Sequence, residues 1–188
     1  MPTRWSFFSF HWDKYQELKP ALKSAWDSGD FSNLDTPGAD EILDNFDENS
    51  DPSDICNTLI LELCGEGEPL HFEEGLPGLI LELRRNPRGE DAADLLGCLV
   101  TGEPFVEDWW RAKDGLAGIL TPEQLAEVSS ALAAIHAGGG MKTRPKGLAA
   151  IAGRFVPTDA AKSHLNEMVD LITESAAAGL GLALMRED

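Results

Sequence analysis

Few side chains in this sequence stand at the spacings that catalysis or ligand binding requires. The four histidines, His11, His71, His136 and His164, share no ligand spacing. His164 and Glu167 lie three apart on one predicted helix face, but a zinc site needs at least three convergent ligands and no His-Glu-x-x-His occurs. Asp47-Glu48-Asn49-Ser50-Asp51 imitates the opening of an EF-hand calcium loop, with oxygens at alternate positions. The loop's obligatory glycine then falls on Pro52 and its bidentate glutamate on Thr58, so the hand fails. Gly138-Gly139-Gly140-Met141-Lys142-Thr143 ends like a phosphate-binding loop, yet Met141 replaces the glycine needed before the lysine, and a helix precedes it where a strand belongs. No Gly-x-Ser-x-Gly elbow is present for a serine nucleophile. Cys98 has no histidine near it in sequence, and carboxylates are too many for one pair to be singled out as acid and base. No catalytic, cofactor-binding or metal-binding residue is therefore assigned, and no cofactor is expected.

Charge is the feature that remains. From Lys23 to Arg84 the chain carries no intervening Lys or Arg but sixteen acids, almost the whole of a net charge of −18 over 188 residues. The densest part is Asp40, Glu41, Asp44, Asp47, Glu48, Asp51 and Asp54. Such a block repels itself. Two readings fit it: a solvated, solubilising face, and a surface that docks a basic protein. A loose cation site is the minor third. Asp51 and Ser50 are also explained as helix caps ahead of Pro52. Nucleic acid is excluded as a partner, because binding phosphates needs a positive face and the pI is about 4.4. The one basic patch in the sequence, Lys142, Arg144, Lys146 and Arg154, suits a solvated loop, an anion site, or a contact with the acidic segment of the same or a second copy.

These side chains need elements to position them. The length suits one domain over residues 1–188, with 43 % hydrophobic residues, near the globular average. No apolar run reaches the ~18 residues that cross a bilayer, and Met1 to Phe10 lacks a secretory pattern, so a cytoplasmic protein with no membrane contact is expected. Cys56 and Cys64 lie eight apart on a predicted helix, about 12 Å from each other, too far for a disulfide. They read as small buried hydrophobes.

Trp5 to Phe10 predicts a strand buried on both faces. A helix follows from His11 to Trp26, with Asp13 as cap and a kink or restart at Pro20. Pro37 suits the first turn of a short helix, and Asp51-Pro52 opens a longer one that Gly65 closes. The stretch Gly65-Glu66-Gly67-Glu68-Pro69 then reads as a helix exit, echoed at Gly102-Glu103-Pro104. Helices are expected over Leu76 to Asn86 and Gly89 to Thr101. Thr121, Pro122 and Gln124 form a capping box for another, with Leu125, Val128, Leu132 and Ile135 as its apolar stripe and three glycines at its end. Leu148 to Phe155 predicts a helical turn or two, and Thr158 to Ala178 a longer helix. Leu180 to Met185 predicts a strand with leucines on one face and Gly181 and Ala183 on the other, leaving room for a helix to pack closely. Trp109-Trp110 suits one core and one exposed tryptophan. Lone strands leave backbone groups unpaired, so the terminal strands should pair, together with Gly115 to Leu120. The fold class is α+β, mostly helical, with a small sheet pairing the N- and C-terminal strands.

In this order of elements, and above all in Leu99-Val100-Thr101-Gly102 and in Leu120-Thr121-Pro122-Glu123-Gln124-Leu125-Ala126-Glu127-Val128 running to Ile135, the chain resembles the YfbM-like bacterial family of unknown function. The resemblance implies an α+β cytoplasmic domain of unassigned role, some of whose relatives look like the small acidic proteins found near toxin genes. It carries over no catalytic residues. Two functions follow as expectations. One is a non-enzymatic, toxin-neutralising or otherwise protein-binding domain, monomeric or homodimeric, using the acidic face. The alternative is an enzyme whose site assembles from distant loops, with His71, Asp108 or Trp110 lining a pocket.

Overall fold

A computed structural model of the chain describes residues 4–32, 34–47, 49–72, 76–101, 115–137 and 159–187. Its centre is a four-stranded antiparallel sheet of β1 (Arg4–Phe10), β2 (Gly65–Phe72), β3 (Gly115–Leu120) and β4 (Gly181–Glu187), in the order β2-β1-β4-β3. The two terminal strands are the inner pair, in register from Arg4 opposite Glu187 to Phe10 opposite Gly181. The expected α+β class and the pairing of the terminal strands are what the chain forms.

Side-chain alternation along a strand sends neighbours to opposite faces, so an aromatic inner strand builds two cores at once. Phe7 joins one core with Leu182 and Leu184 of β4, and Phe8 and Phe10 join the other with Ala183. The face of Phe8 and Phe10 is covered by α1 (Trp12–Ser28), α2 (Ala39–Leu43) and α3 (Pro52–Cys64), through Tyr15, Leu18, Leu22, Ile55, Leu59 and Ile60. The opposite face is covered by α4 (Leu76–Arg84), α5 (Glu90–Thr101), α6 (Pro122–Ala137) and α7 (Asp159–Ala177), with leucines of α4, α5 and α6 and Met168 and Ile172 of α7. The sheet thus lies between two helical layers.

Several local expectations hold and several are corrected. The capping box at α6 is reciprocal: the Thr121 N–H donates to Gln124 Oε1 at 2.9 Å and the Gln124 N–H donates to Thr121 Oγ1 at 3.3 Å. Asp51 caps α3 by accepting the Ser53 N–H at 2.8 Å. Asp13, however, is not the cap of α1. His11 holds that place with extended backbone and no side-chain bond, and Asp13 falls inside the first turn. Pro20 lies inside α1, and the helix continues past it to Ser28 without a restart. Pro20 is exposed, so the carbonyl it leaves without a donor can turn to water. Pro37 precedes α2 rather than opening it, because Gly38 takes the cap with a φ of 86°.

The larger correction is β2. Gly65 does stop α3, and the helix exit is itself a strand, an element not expected from the sequence. Leu70, His71 and Phe72 pair with Phe7, Ser6 and Trp5, and Gly67, at φ 75°, lies where the register shifts. Pairing with β1 supplies what β2 lacks in propensity. A second difference lies at Gly181. A Cβ there would meet the Phe10 ring at 2.5 Å, so the space is filled by a neighbouring strand's aromatic ring rather than by a helix. The predicted turn at Leu148 to Phe155, the glycine run at 138–140, the echo at Gly102 and the pair Trp109-Trp110 lie outside the described residues.

Candidate functional site

Asp40 and Glu41 lie on α2, Asp44 caps its end, and Asp47 and Asp51 lie in the connection to α3, whose first turn carries Asp54. All six are exposed, and Glu48 lies outside the described residues. The elements face inwards through Ala39, Ile42, Leu43, Phe46, Ile55 and Leu59, which leaves the charged positions only the outer side. Amphipathic spacing thus turns a sequence block into a surface on one helical layer.

The acids divide by what their oxygens do. Asp47 accepts the Asn49 N–H at 2.9 Å and the Ser50 hydroxyl at 3.2 Å. Asp51 caps α3, and in the α1–α2 connection Asp30 accepts the Ser32 N–H at 2.9 Å and the Ser32 hydroxyl at 2.6 Å. These three hold the local backbone. Asp40, Glu41, Asp44 and Asp54 make no side-chain hydrogen bond or ion pair among the described residues. Lys23, the last cation before the block, bonds Asp27 one turn along α1. Asp40 and Asp44 stand four apart with like charge, an arrangement that costs about 0.2–0.5 kcal/mol in a helix. No cationic side chain among the described residues pairs with either of them.

Beside these acids the α1–α2 connection leaves an open depression of about 400 Å³, lined by Ser32, Asp35, Thr36 and Asp40 with Leu34 and Pro37. Sequence reasoning counted Asp35 among the acids but had no signal for the depression, which depends on how the chain turns between Gly29 and Gly38. The face therefore offers carboxylates around a shallow recess, an arrangement suited to cationic side chains of a partner. Among the described residues no three His, Cys, Asp or Glu side chains converge to hold a metal ion.

Other chemistry is less favoured. His71 is exposed on β2 and its Nδ1 lies 2.7 Å from the Ser6 hydroxyl, a cross-strand pair. Ser6 is only 1 % exposed, so this hydroxyl cannot reach a substrate. Asp108 and Trp110, the other residues of the enzyme alternative, lie outside the described residues, as does the basic patch Lys142, Arg144, Lys146 and Arg154. Cys56 and Cys64 are free and buried, as their spacing predicts. Burial pushes the Cys56 thiol up to about 12 and the Cys64 thiol to about 11, the latter partly opposed by Lys14, so neither serves as a thiolate nucleophile near neutral pH. Among the described residues no helix is long and apolar enough to cross a membrane. No family model, curated protein or solved structure matches the chain.

Proposed function

We infer that the chain is a non-enzymatic, cytoplasmic protein-binding domain that docks a basic protein on the face of Asp40, Glu41, Asp44, Asp47, Glu48, Asp51 and Asp54. The observation that carries this is the set Asp40, Glu41, Asp44 and Asp54: exposed carboxylates on α2 and the start of α3 that pair with no cation among the described residues. A block of like charge that pairs with no cation among the described residues gains from an external one. Such a field also raises association rates by roughly ten- to a thousand-fold. The resemblance to the YfbM-like family supports the narrower form, an immunity-type protein that neutralises a basic toxin. Asp47 and Asp51 contribute charge while shaping the backbone, and the recess at Asp35 and Asp40 receives a Lys or Arg of the partner.

The test compares the immobilised chain with an Asp40→Asn/Glu41→Gln/Asp44→Asn/Asp54→Asn variant, which keeps the capping acids. The wild type should retain a basic protein at about 50 mM salt and release it at about 500 mM, where screening falls to a few Å. The variant should retain little of it at either salt. Retention that survives both high salt and the four substitutions contradicts the proposal.

A further inference from the structure

On the other side of the sheet, where the start of α5 passes α6, a cleft of about 280 Å³ opens. Its floor is small: Ala92 and Ala131 are 1 % and 8 % exposed. Its rim carries Arg88 and Asp91 on one side and Glu127 and Ser130 of α6 on the other. The α4–α5 turn bearing Arg88 is tightly determined. The Asn86 side chain accepts the Arg88 N–H at 3.0 Å, and the Asn86 carbonyl accepts the Gly89 N–H at 2.8 Å. A Cβ on Gly89 would meet the Leu83 carbonyl oxygen at 2.5 Å, so a larger residue would have to move α4. Glu127 stands on a helix whose start is fixed by its capping box. The backbone that bears each charge is thus held in place before anything binds.

Nearby, the opposite charges of Arg84 and Asp94 meet at 3.0 Å. Arg88, Asp91 and Glu127 make no such side-chain contact among the described residues. An anion at Arg88 would face two carboxylates, and a cation at the carboxylates would face a guanidinium. A molecule carrying both charges satisfies all three. We propose that this cleft binds a small zwitterion of amino-acid size, its carboxylate on Arg88 and its ammonium on Asp91 and Glu127. The volume, just under the roughly 300 Å³ at which drug-sized sites begin, limits the occupant to such a size. The Ser130 hydroxyl offers a further hydrogen bond. The site is independent of the acidic face, which lies across the sheet.

The experiment is an NMR titration of the full chain at low salt with each common α-amino acid, with acetate and with methylammonium, following the backbone amides of Ala92, Ser130 and Ala131. At least one amino acid should shift these amides saturably, with acetate and methylammonium about tenfold weaker. Arg88→Gln and Glu127→Gln should each weaken that binding about fivefold or more while the rest of the spectrum is unchanged. The proposal is overturned if no amino acid gives a saturable shift. It is equally overturned if acetate or methylammonium binds as well as the amino acid, or if both substitutions leave the affinity intact.

Discussion

The two helical layers differ inside and out. The α1–α3 layer is aromatic within, where Phe8, Phe10, Tyr15 and Phe31 are buried and Trp12, Trp26 and Phe46 partly so, and it carries three lysines against thirteen acids from Trp12 to Cys64. The α4–α7 layer is mainly aliphatic within, its helices contributing leucines of α4, α5 and α6 around Phe7 and Phe72 of the sheet, and its outer side mixes signs, with Arg84, Arg85 and Arg88 among the acids of α4 and α5. The contrast teaches that surface repulsion is affordable where the core beneath it is strong. Phe10 is wholly buried, with ring centroids 6.0 Å from Trp12 and 5.7 Å from Tyr15, and Gly181 lies against its ring. Large aromatic burial outweighs several unfavourable surface pairs of a few tenths of a kcal/mol each.

The sharpest way to break this contrast is to empty the aromatic core. Phe10→Ala should cost about 3–5 kcal/mol in urea unfolding. A loss near 1 kcal/mol would mean that something else holds the acidic layer down. Alkaline pH comes next, because both strongly shifted thiols sit in this layer. A thiol whose folded value is raised above its ordinary 9.0 stays protonated in the fold while the unfolded chain ionises. The stability this represents is intact below pH 9 and falls as pH rises towards about 11 and about 12. Denaturation midpoints should drop across that window, and Cys56→Ala/Cys64→Ala should drop less steeply.

The smallest effects compare equivalent caps in the two layers. Thr121→Ala removes half of the α6 box and should cost about 1 kcal/mol. Asp51→Ala removes the α3 cap but also one charge from the acidic block, so its cost should be smaller. Asp51→Asn, which keeps a capping oxygen and loses the charge, should be neutral or slightly stabilising in thermal melts at low salt. Equal costs for Thr121→Ala and Asp51→Ala would remove the evidence for repulsion across the first layer.

What could be read beforehand was local. The Thr121–Gln124 box and the Asp51 cap involve residues three or fewer apart, and their outcome does not depend on the rest of the chain. The alternation of Leu182, Ala183 and Leu184 likewise fixed which face of β4 each would take. β2 was not legible, since Gly65-Glu66-Gly67-Glu68-Pro69 has the residues of a turn and becomes a strand only because β1 lies beside it. For the acidic face, the number of carboxylates was plain in the sequence. Their division into Asp47 and Asp51, which brace the backbone, and Asp40, Glu41, Asp44 and Asp54, which do not, required geometry. The α5–α6 cleft joins Arg88 to Glu127 across distant parts of the chain, and nothing local announces it.

A docking face for a basic protein requires negative potential to be gathered over α2 and the start of α3. Paramagnetic relaxation of backbone amides by a cationic and by an anionic nitroxide co-solute reads the near-surface potential residue by residue. The cationic probe should be enriched most strongly over residues 39–54, and its excess should fall off over α5 and α6. An equal excess over both helical layers would contradict a docking face and leave only a protein that is acidic all round.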